Sequence, residues 1–158
     1  MDISTHVEVR TESGWNFVNT YLGWEHLAEY PDFPFGWRNY VLFAFLTDSR
    51  NSRVKSMPHV GCGYRGLPED SNWLNEEVAD GFYTIQRSQD IENNCNNHGF
   101  SWVLLAELLT FDYDQAYAAG QGEPATIREE LGAGYFRHLE LLTSFGAPDD
   151  VRVVYWFN

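Results

Sequence analysis

Basic side chains are concentrated in the middle of an acidic sequence. The segment from residue 38 to residue 65 contains five basic residues and one acidic residue, which gives it a charge of +4 in a chain whose net charge is −13. The basic residues are Arg38, Arg50, Arg53, Lys55 and Arg65. A guanidinium group binds the paired oxygens of a phosphate or carboxylate through two parallel hydrogen bonds. The pattern therefore predicts an anion-binding site held by Arg38, Arg50, Arg53 and Arg65.

Polar and aromatic residues in and after this segment could complete such a site. They supply amide, carboxyl and imidazole groups that hydrogen-bond a ligand, and an indole that stacks on a planar ring. The candidates are Asn39, Asn51, His59, Asp70, His98 and Trp102, with Trp37 as a second stacking ring. The sequence also allows the ordinary alternative, in which the arginines pair with surplus acids and the tryptophans are buried in the core.

A glycine-rich stretch follows the basic residues. Gly61, Gly63 and Gly66 imitate a dinucleotide-binding fingerprint, but no predicted strand precedes them and Pro68 follows closely. We therefore reject a Rossmann-type site, because that motif needs a strand before the glycines and a helix after them. The same glycines would still let backbone N–H groups approach an anion.

The enzymatic alternative is a phosphodiesterase-like hydrolase. In it His59 or His98 is the general acid and base, Asp70 or Glu107 orients the histidine, and Arg65 stabilises the charge of the transition state. The sequence contains no GxSxG, HExxH or P-loop motif that would strengthen this hypothesis. No catalytic residue is therefore assigned.

Metal ligands and cofactor motifs are sparse. Cys62 and Cys95 are too few for a disulfide framework or a four-cysteine zinc site, so we expect free thiols in a reducing compartment. His6 and Glu8 lie on the polar face of a predicted strand without a matched third ligand. We expect neither a metal nor a cofactor.

Charge and hydropathy limit the classes of partner and the cellular location that the sequence predicts. The strong negative charge disfavours nucleic acids and anionic membranes as partners. The longest apolar run, residues 40–46, is much shorter than a membrane span, and residues 1–3 lack the pattern of a secretion signal. These features predict a cytoplasmic protein whose ligand is a small molecule.

Hydrophobic periodicity predicts an α+β fold in one domain, residues 1–158. Alternating residues over 3–18 predict a β-hairpin, and the apolar run 151–157 predicts a central strand that pairs with it in a small antiparallel sheet. Helices are expected near residues 40, 72, 102 and 135, where they would cover the sheet.

Several segments between these elements have their own predictions. An aromatic, proline-containing excursion covers residues 19–37, and an Arg- and Gly-containing loop covers residues 48–70. The polar stretch 88–97 is expected to be a surface loop. Ser101 is expected to cap a helix that begins at Trp102. The last long helix should run from about residue 133, because Gly132 breaks the pattern before it.

Four segments carry a resemblance to a known family. They are RNY with LFA and RN within residues 38–51, RGLPED at 65–70, His98 with Ser101-Trp102, and DVRVVYWF at 150–157. In these segments the chain resembles a family of small uncharacterised proteins encoded by bacteriophages and prophages. The resemblance implies a phage-derived protein of the host cytoplasm, and it implies no established activity.

The function expected from these observations is binding without turnover. The protein would sequester a small phosphorylated, nucleotide-derived signalling molecule as a counter-defence protein of a phage. One alternative is an acidic protein-binding inhibitor or DNA mimic, which the charge of −17 outside residues 38–65 motivates. The hydrolase is the other. An aromatic content of 16% suggests a homo-oligomer.

Overall fold

A computed structural model describes residues 2–18, 34–48, 57–60, 63–72, 79–80, 83–84, 88–117 and 125–158. The predicted ligand contacts Arg50, Asn51 and Arg53 lie outside the described residues, as does most of the aromatic excursion. The strands are β1 (Ile3–Thr11), β2 (Gly14–Val18), β3 (Ala79–Asp80), β4 (Tyr83–Thr84), β5 (His98–Leu104), β6 (Ala116–Tyr117), β7 (Ala125–Thr126) and β8 (Val151–Phe157). The α-helices are α1 (Tyr40–Thr47), α2 (Ser88–Asn93), α3 (Leu105–Thr110) and α4 (Ile127–Leu142), and Pro148–Asp150 form a 3-10 turn.

The main sheet has four antiparallel strands in the order β2-β1-β8-β5. β1 pairs with β8 from Ile3 opposite Phe157 to Val9 opposite Val151. The predicted α+β fold is therefore confirmed, with the hairpin beside the C-terminal strand. β8 is central and buried along its whole length, as its continuous apolar run predicts.

The first face of the sheet holds the main core. Alternate residues of the central strands, including Val7, Val153 and Tyr155, point to this face and pack with α1 and α4. Tyr155 is 1% exposed, and its hydroxyl donates a hydrogen bond to Leu46 O of α1. Residues 42–47 of α1 are all buried, so the short helix is held mainly by packing.

Helix α1 begins and ends at recognisable caps. Asn39 Oδ1 accepts hydrogen bonds from the backbone N–H groups of Val41 and Leu42, at 2.8 and 3.3 Å. At the other end Asp48 takes a left-handed conformation, φ 63°, and its N–H donates to Ala44 O. A helix near residue 40 is thus present, and the polar residues on both sides of the apolar run cap its ends.

Helix α4 contains a break at Gly132. This residue has φ 77° and ψ 171°, a conformation that is essentially restricted to glycine. A short first part, capped by Thr126 with Glu129 in a capping box, precedes the break. The long second part starts at residue 133, as the sequence predicts.

The second face of the sheet is also covered. Arg152, Val154 and Trp156 of β8 point to it, and Ile91 of α2 packs against Trp156. The prediction of a surface loop at residues 88–97 is therefore wrong for residues 88–93, which form α2. Ile91 is buried and is the one apolar residue in the sequence of this helix, so there is no helical period to read in the sequence.

The helix predicted to begin at Trp102 is instead partly a strand. Residues 98–104 form β5, which pairs with β8 at Trp102 opposite Val154 and Leu104 opposite Arg152, and the helix α3 begins only at residue 105. Ser101 does not cap it. The short apolar run satisfies a strand and a helix equally, and pairing with the central strand decides between them.

None of the helices in the described part of the chain is both long enough and apolar enough to cross a membrane.

Candidate functional site

An irregular segment, residues 63–72, crosses the second face of the sheet from β5 to β2; we call it the crossing segment. At its start the Arg65 N–H donates to Ser101 Oγ at 3.1 Å, and the Gly66 N–H donates to Phe100 O at 2.9 Å. At its end Ser71 forms a bridge with Trp15 of β2. The RGLPED residues therefore lie over the middle of the sheet.

A cleft of about 820 Å³ lies between the crossing segment and the ends of the central strands. Its polar lining consists of three arginines and three acidic residues: Arg10, Arg65, Arg152, Glu69, Asp70 and Asp149. Its apolar lining consists of Trp15, Leu67, Pro68, Trp102 and Leu104. Such a mixture of aromatic walls and a few converging polar groups is typical of sites for small organic ligands.

Arg152 lies at the floor of this cleft. Its side chain is 2% exposed, and its Nε donates to Glu8 Oε2 at 2.5 Å. Glu8 is fully buried and also accepts a hydrogen bond from Ser71 Oγ. The strand register explains the pair, because Glu8 and Arg152 stand directly opposite each other on β1 and β8.

The other two nitrogens of Arg152 differ from each other. Nη1 contacts Asp70 Oδ1 at 2.8 Å, and the Asp70 side chain is 64% exposed. Nη2 is buried and has no hydrogen-bond partner among the described residues. The edge formed by Nη1 and Nη2 is therefore occupied by one exposed carboxylate, whereas Glu8 holds the guanidinium from the buried side.

Two indole rings flank the arginines. The Arg152 guanidinium carbon lies 4.1 Å from the ring centroid of Trp15 and 5.5 Å from that of Trp102. The guanidinium carbon of Arg65 lies 4.7 Å from the Trp102 centroid. Cation–π attraction orients both guanidinium groups without using their N–H donors. Trp15 is buried, whereas Trp102 is partly exposed to the cleft.

Glu107 positions Arg65 at the wall of the cleft. Its carboxylate accepts from both terminal nitrogens of Arg65, at 2.8 and 2.5 Å, and from the Leu104 N–H at the start of α3, at 2.9 Å. Hydrogen bonding from Arg65 holds the pKa of Glu107 below its usual value. The pair is therefore ionised at neutral pH, and the bidentate contact fixes the guanidinium plane.

The structure brings three of the sequence-predicted ligand contacts, Arg65, Asp70 and Trp102, together in the cleft. His98 is at the far end of β5, opposite Phe157, five residues along β8 from Arg152 and thus about 17 Å away. His59 is exposed in a separate stretch of described chain.

Two further predicted contacts lie on the other side of the sheet. Arg38 is exposed and donates to the Tyr40 hydroxyl at 3.1 Å, and Asn39 caps α1 with its side-chain oxygen. That helix packs on the first face, where Phe43 contacts Phe157 with ring centroids 5.0 Å apart. The structure therefore does not bring Arg38 and Asn39 together with Arg65 in the cleft.

Sequence reasoning missed Glu8, Trp15 and Arg152. Glu8 was expected on a solvated polar face, but a second buried face of the sheet lies there. A signal was present: Arg152 is the one charged residue inside an otherwise apolar run that was predicted to be a buried strand. A charge in such a strand needs a buried partner, and Glu8 is on the strand predicted to pair with it.

Within the described ranges, no three His, Cys, Asp or Glu side chains group so that they could hold a metal ion. Comparisons of the chain with protein-family models, with curated proteins and with solved structures find no match.

Proposed function

We propose that the cleft binds a small ligand that combines a planar ring with a phosphate-type anion, and that it releases this ligand unchanged. The observation that carries the proposal is Arg152: a buried guanidinium, held from below by Glu8, with one unpartnered nitrogen and one nitrogen on an exposed carboxylate. Structures usually satisfy buried donors, so an unsatisfied one beside a cleft favours a ligand there.

The anion would take the Nη1 and Nη2 edge of Arg152. Asp70 now occupies half of that edge, and its exposure allows it to turn into solvent when an anion arrives. Two oxygens of a phosphate match the two nitrogens of this edge. Glu8 keeps the guanidinium in place during the exchange, because its own contact is to Nε.

The ring would lie against Trp102. This indole is the more accessible of the two in the cleft, and Leu67, Pro68 and Leu104 add apolar surface beside it. Offset stacking and desolvation of apolar surface favour a planar base over an aliphatic group. A volume of about 820 Å³ suits a nucleotide-sized molecule.

Binding without turnover is favoured over hydrolysis by the partners of the carboxylates. The hydrolase alternative needs Asp70 or Glu107 to orient a histidine, but they contact Arg152 and Arg65. His98 Nδ1 lies 3.2 Å from Asn96 O, and no histidine is among the residues described as lining the cleft. The described cleft residues thus do not include the histidine that the hydrolase alternative uses as its general acid and base.

The resemblance to phage proteins suggests a biological use for such binding. A protein that captures a nucleotide-derived immune signal and returns it intact would act as counter-defence by sequestration, in the host cytoplasm. This step rests on the resemblance and not on the cleft itself.

Native mass spectrometry of freshly purified protein tests the proposal. The protein is measured alone and with cyclic and linear nucleotides, then denatured, and the released small molecules are identified. An intact nucleotide supports the proposal and also gives the stoichiometry and any homo-oligomer. A converted nucleotide contradicts sequestration and favours the hydrolase. No bound or altered molecule contradicts the proposal and favours the acidic protein-binding inhibitor.

A further inference from the structure

We infer that the ligand presents a single negative charge to the cleft, as a phosphodiester does, and that phosphomonoesters and polyphosphates are selected against. This inference rests on the proposed function, since it concerns the ligand class of the same cleft. It follows from the charges that surround the three arginines lining the cleft, Arg10, Arg65 and Arg152.

Each of these arginines pairs with a carboxylate other than Asp70. Arg10 pairs with Asp150 at 2.7 Å, and Arg65 pairs with Glu107 at 2.5 Å. Arg152 pairs with Glu8 at 2.5 Å. Among the described residues, the positive charge of the three lining arginines is therefore balanced before any ligand arrives.

Three more carboxylates lie at the cleft, so the described side chains around it carry more negative than positive charges. Glu69 and Asp149 line it and are exposed, and Asp70 contacts Arg152. When a ligand with one negative charge replaces Asp70 on Arg152, the charge next to the guanidinium stays the same. A ligand with two negative charges adds a further one beside Glu8, which is buried and cannot move into solvent.

Asp70 is the carboxylate suited to leave. Its side chain is 64% exposed, compared with 31% for Glu107 and 0% for Glu8, and it makes one contact to Arg152 rather than a bidentate one. Asp70 thus acts as an internal competitor that sets the charge an incoming ligand must match. Its removal should help every anion and should help a doubly charged anion most.

Calorimetric titration with four nucleotides tests this inference. Cyclic AMP and cyclic GMP carry one negative charge, whereas AMP and GMP carry nearly two at pH 8, because their second pKa is about 6. The base is matched within each pair. Cyclisation also esterifies a ribose hydroxyl that is free in the linear nucleotide, so repeating the titration at lower pH isolates the contribution of charge. We expect each cyclic nucleotide to bind at least about tenfold more tightly than its linear counterpart.

Asp70→Asn and a matched control variant identify the group that discriminates. Asp114→Asn removes another exposed carboxylate that pairs with an arginine, Arg128, and neither residue is described as lining the cleft. Asp70→Asn should tighten binding of both classes and reduce the preference for cyclic nucleotides several-fold. Asp114→Asn should leave both affinities within about twofold of the wild type.

A titration without any variant gives a second test. Between pH 8 and pH 5.5 AMP gains a proton and becomes mostly a monoanion, whereas the charge of cyclic AMP does not change. The affinity for AMP should therefore approach that for cyclic AMP at the lower pH.

The outcomes separate this inference from the proposed function. Equal or tighter binding of AMP and GMP at pH 8 overturns the inference and leaves nucleotide binding intact. Unchanged affinities in Asp70→Asn overturn it as well, because Asp70 is then not the group that the ligand replaces. If none of the four nucleotides binds at millimolar concentration, the proposed function fails and the inference fails with it.

Discussion

Glu8 of β1 and Arg152 of β8 form an ion pair that is buried in the covered second face of the sheet, with side chains 0% and 2% exposed. The two residues are 144 positions apart in sequence. Their contact joins the N-terminal hairpin to the C-terminal strand, and Arg152 also lines the cleft. Stability and ligand binding therefore depend on the same pair.

Arg152→Met should strongly destabilise the protein. The change leaves the Glu8 carboxylate buried without its cation, and breaking one side of a buried pair typically costs about 3–5 kcal/mol. Urea denaturation followed by tryptophan fluorescence measures the loss in the free energy of unfolding. Glu8→Met combined with Arg152→Met should recover a large part of it, since no isolated charge then remains buried.

The control is the exposed pair of Arg10 and Asp150, with side chains 50% and 40% exposed. Arg10→Met should change the free energy of unfolding by less than about 1 kcal/mol, because an exposed pair contributes little in water. Equal losses in Arg10→Met and Arg152→Met would show that burial is not the source of the effect.

Much of the fold could be predicted because its signals are local. The alternation in β1, the continuous apolar run of β8 and the polar ends of α1 are each read within about ten residues. β5 could not be predicted in this way. Residues 98–104 become a strand because β8 offers an edge there, and that pairing is a property of the assembled sheet.

The site was less predictable for the same reason. Arg65 and Asp70 were identified from residue type, but their partners Glu107 and Arg152 are 42 and 82 positions away. The basic segment suggested that nearby arginines converge, whereas the sheet places Arg38 on its other side. Charge density along a sequence does not report which face of a sheet a residue occupies.

Arg65→Ala should weaken binding of cyclic AMP by about tenfold or more. The variant removes a guanidinium held over Trp102 and leaves Glu107 without its cation at the wall of the cleft. Calorimetric titration measures the affinity, and circular dichroism checks that the variant is folded.

Arg128→Ala is the matched control for that measurement. Arg128 also combines an ion pair, with Asp114 at 2.8 Å, and a cation–π contact, with Phe136 at 4.6 Å, and it is not described among the cleft residues. Its replacement should change the affinity by less than about twofold. Equal effects of the two variants would contradict the assignment of the cleft as the binding site.

Asn39→Ala should reduce stability without changing ligand binding. The side chain accepts two backbone hydrogen bonds at the start of α1, and loss of such a cap costs about 1 kcal/mol. Asn39→Asp should keep the cap and most of the stability. Urea denaturation and the cyclic AMP titration are run on the same samples. Weaker binding in Asn39→Ala at unchanged stability would instead make Asn39 a ligand contact.

The His138 side chain on α4 should make stability depend on pH. It is fully buried, and its Nδ1 accepts a hydrogen bond from the Phe35 N–H at 3.0 Å, which requires the neutral ring. Burial lowers the pKa of His138 to about 4, from an ordinary value of 6.5. His138 therefore binds a proton below about pH 6.5 in the unfolded chain, but only below about pH 4 in the folded protein.

Because the unfolded state binds more protons in this window, the free energy of unfolding should fall as the pH is lowered from 6.5 to 4, by about 3 kcal/mol from this residue alone. Denaturation of the wild type and of His138→Asn at several pH values measures the slope. The Asn oxygen can accept the same N–H but does not titrate. The variant should be less stable at pH 7, because it has lost the ring packing against Phe35 and Trp37, and its stability should depend less on pH.

His6 is present in both proteins, so its contribution cancels in the comparison, although burial also lowers its pKa to about 4. Equal slopes in the two proteins would contradict a neutral buried His138.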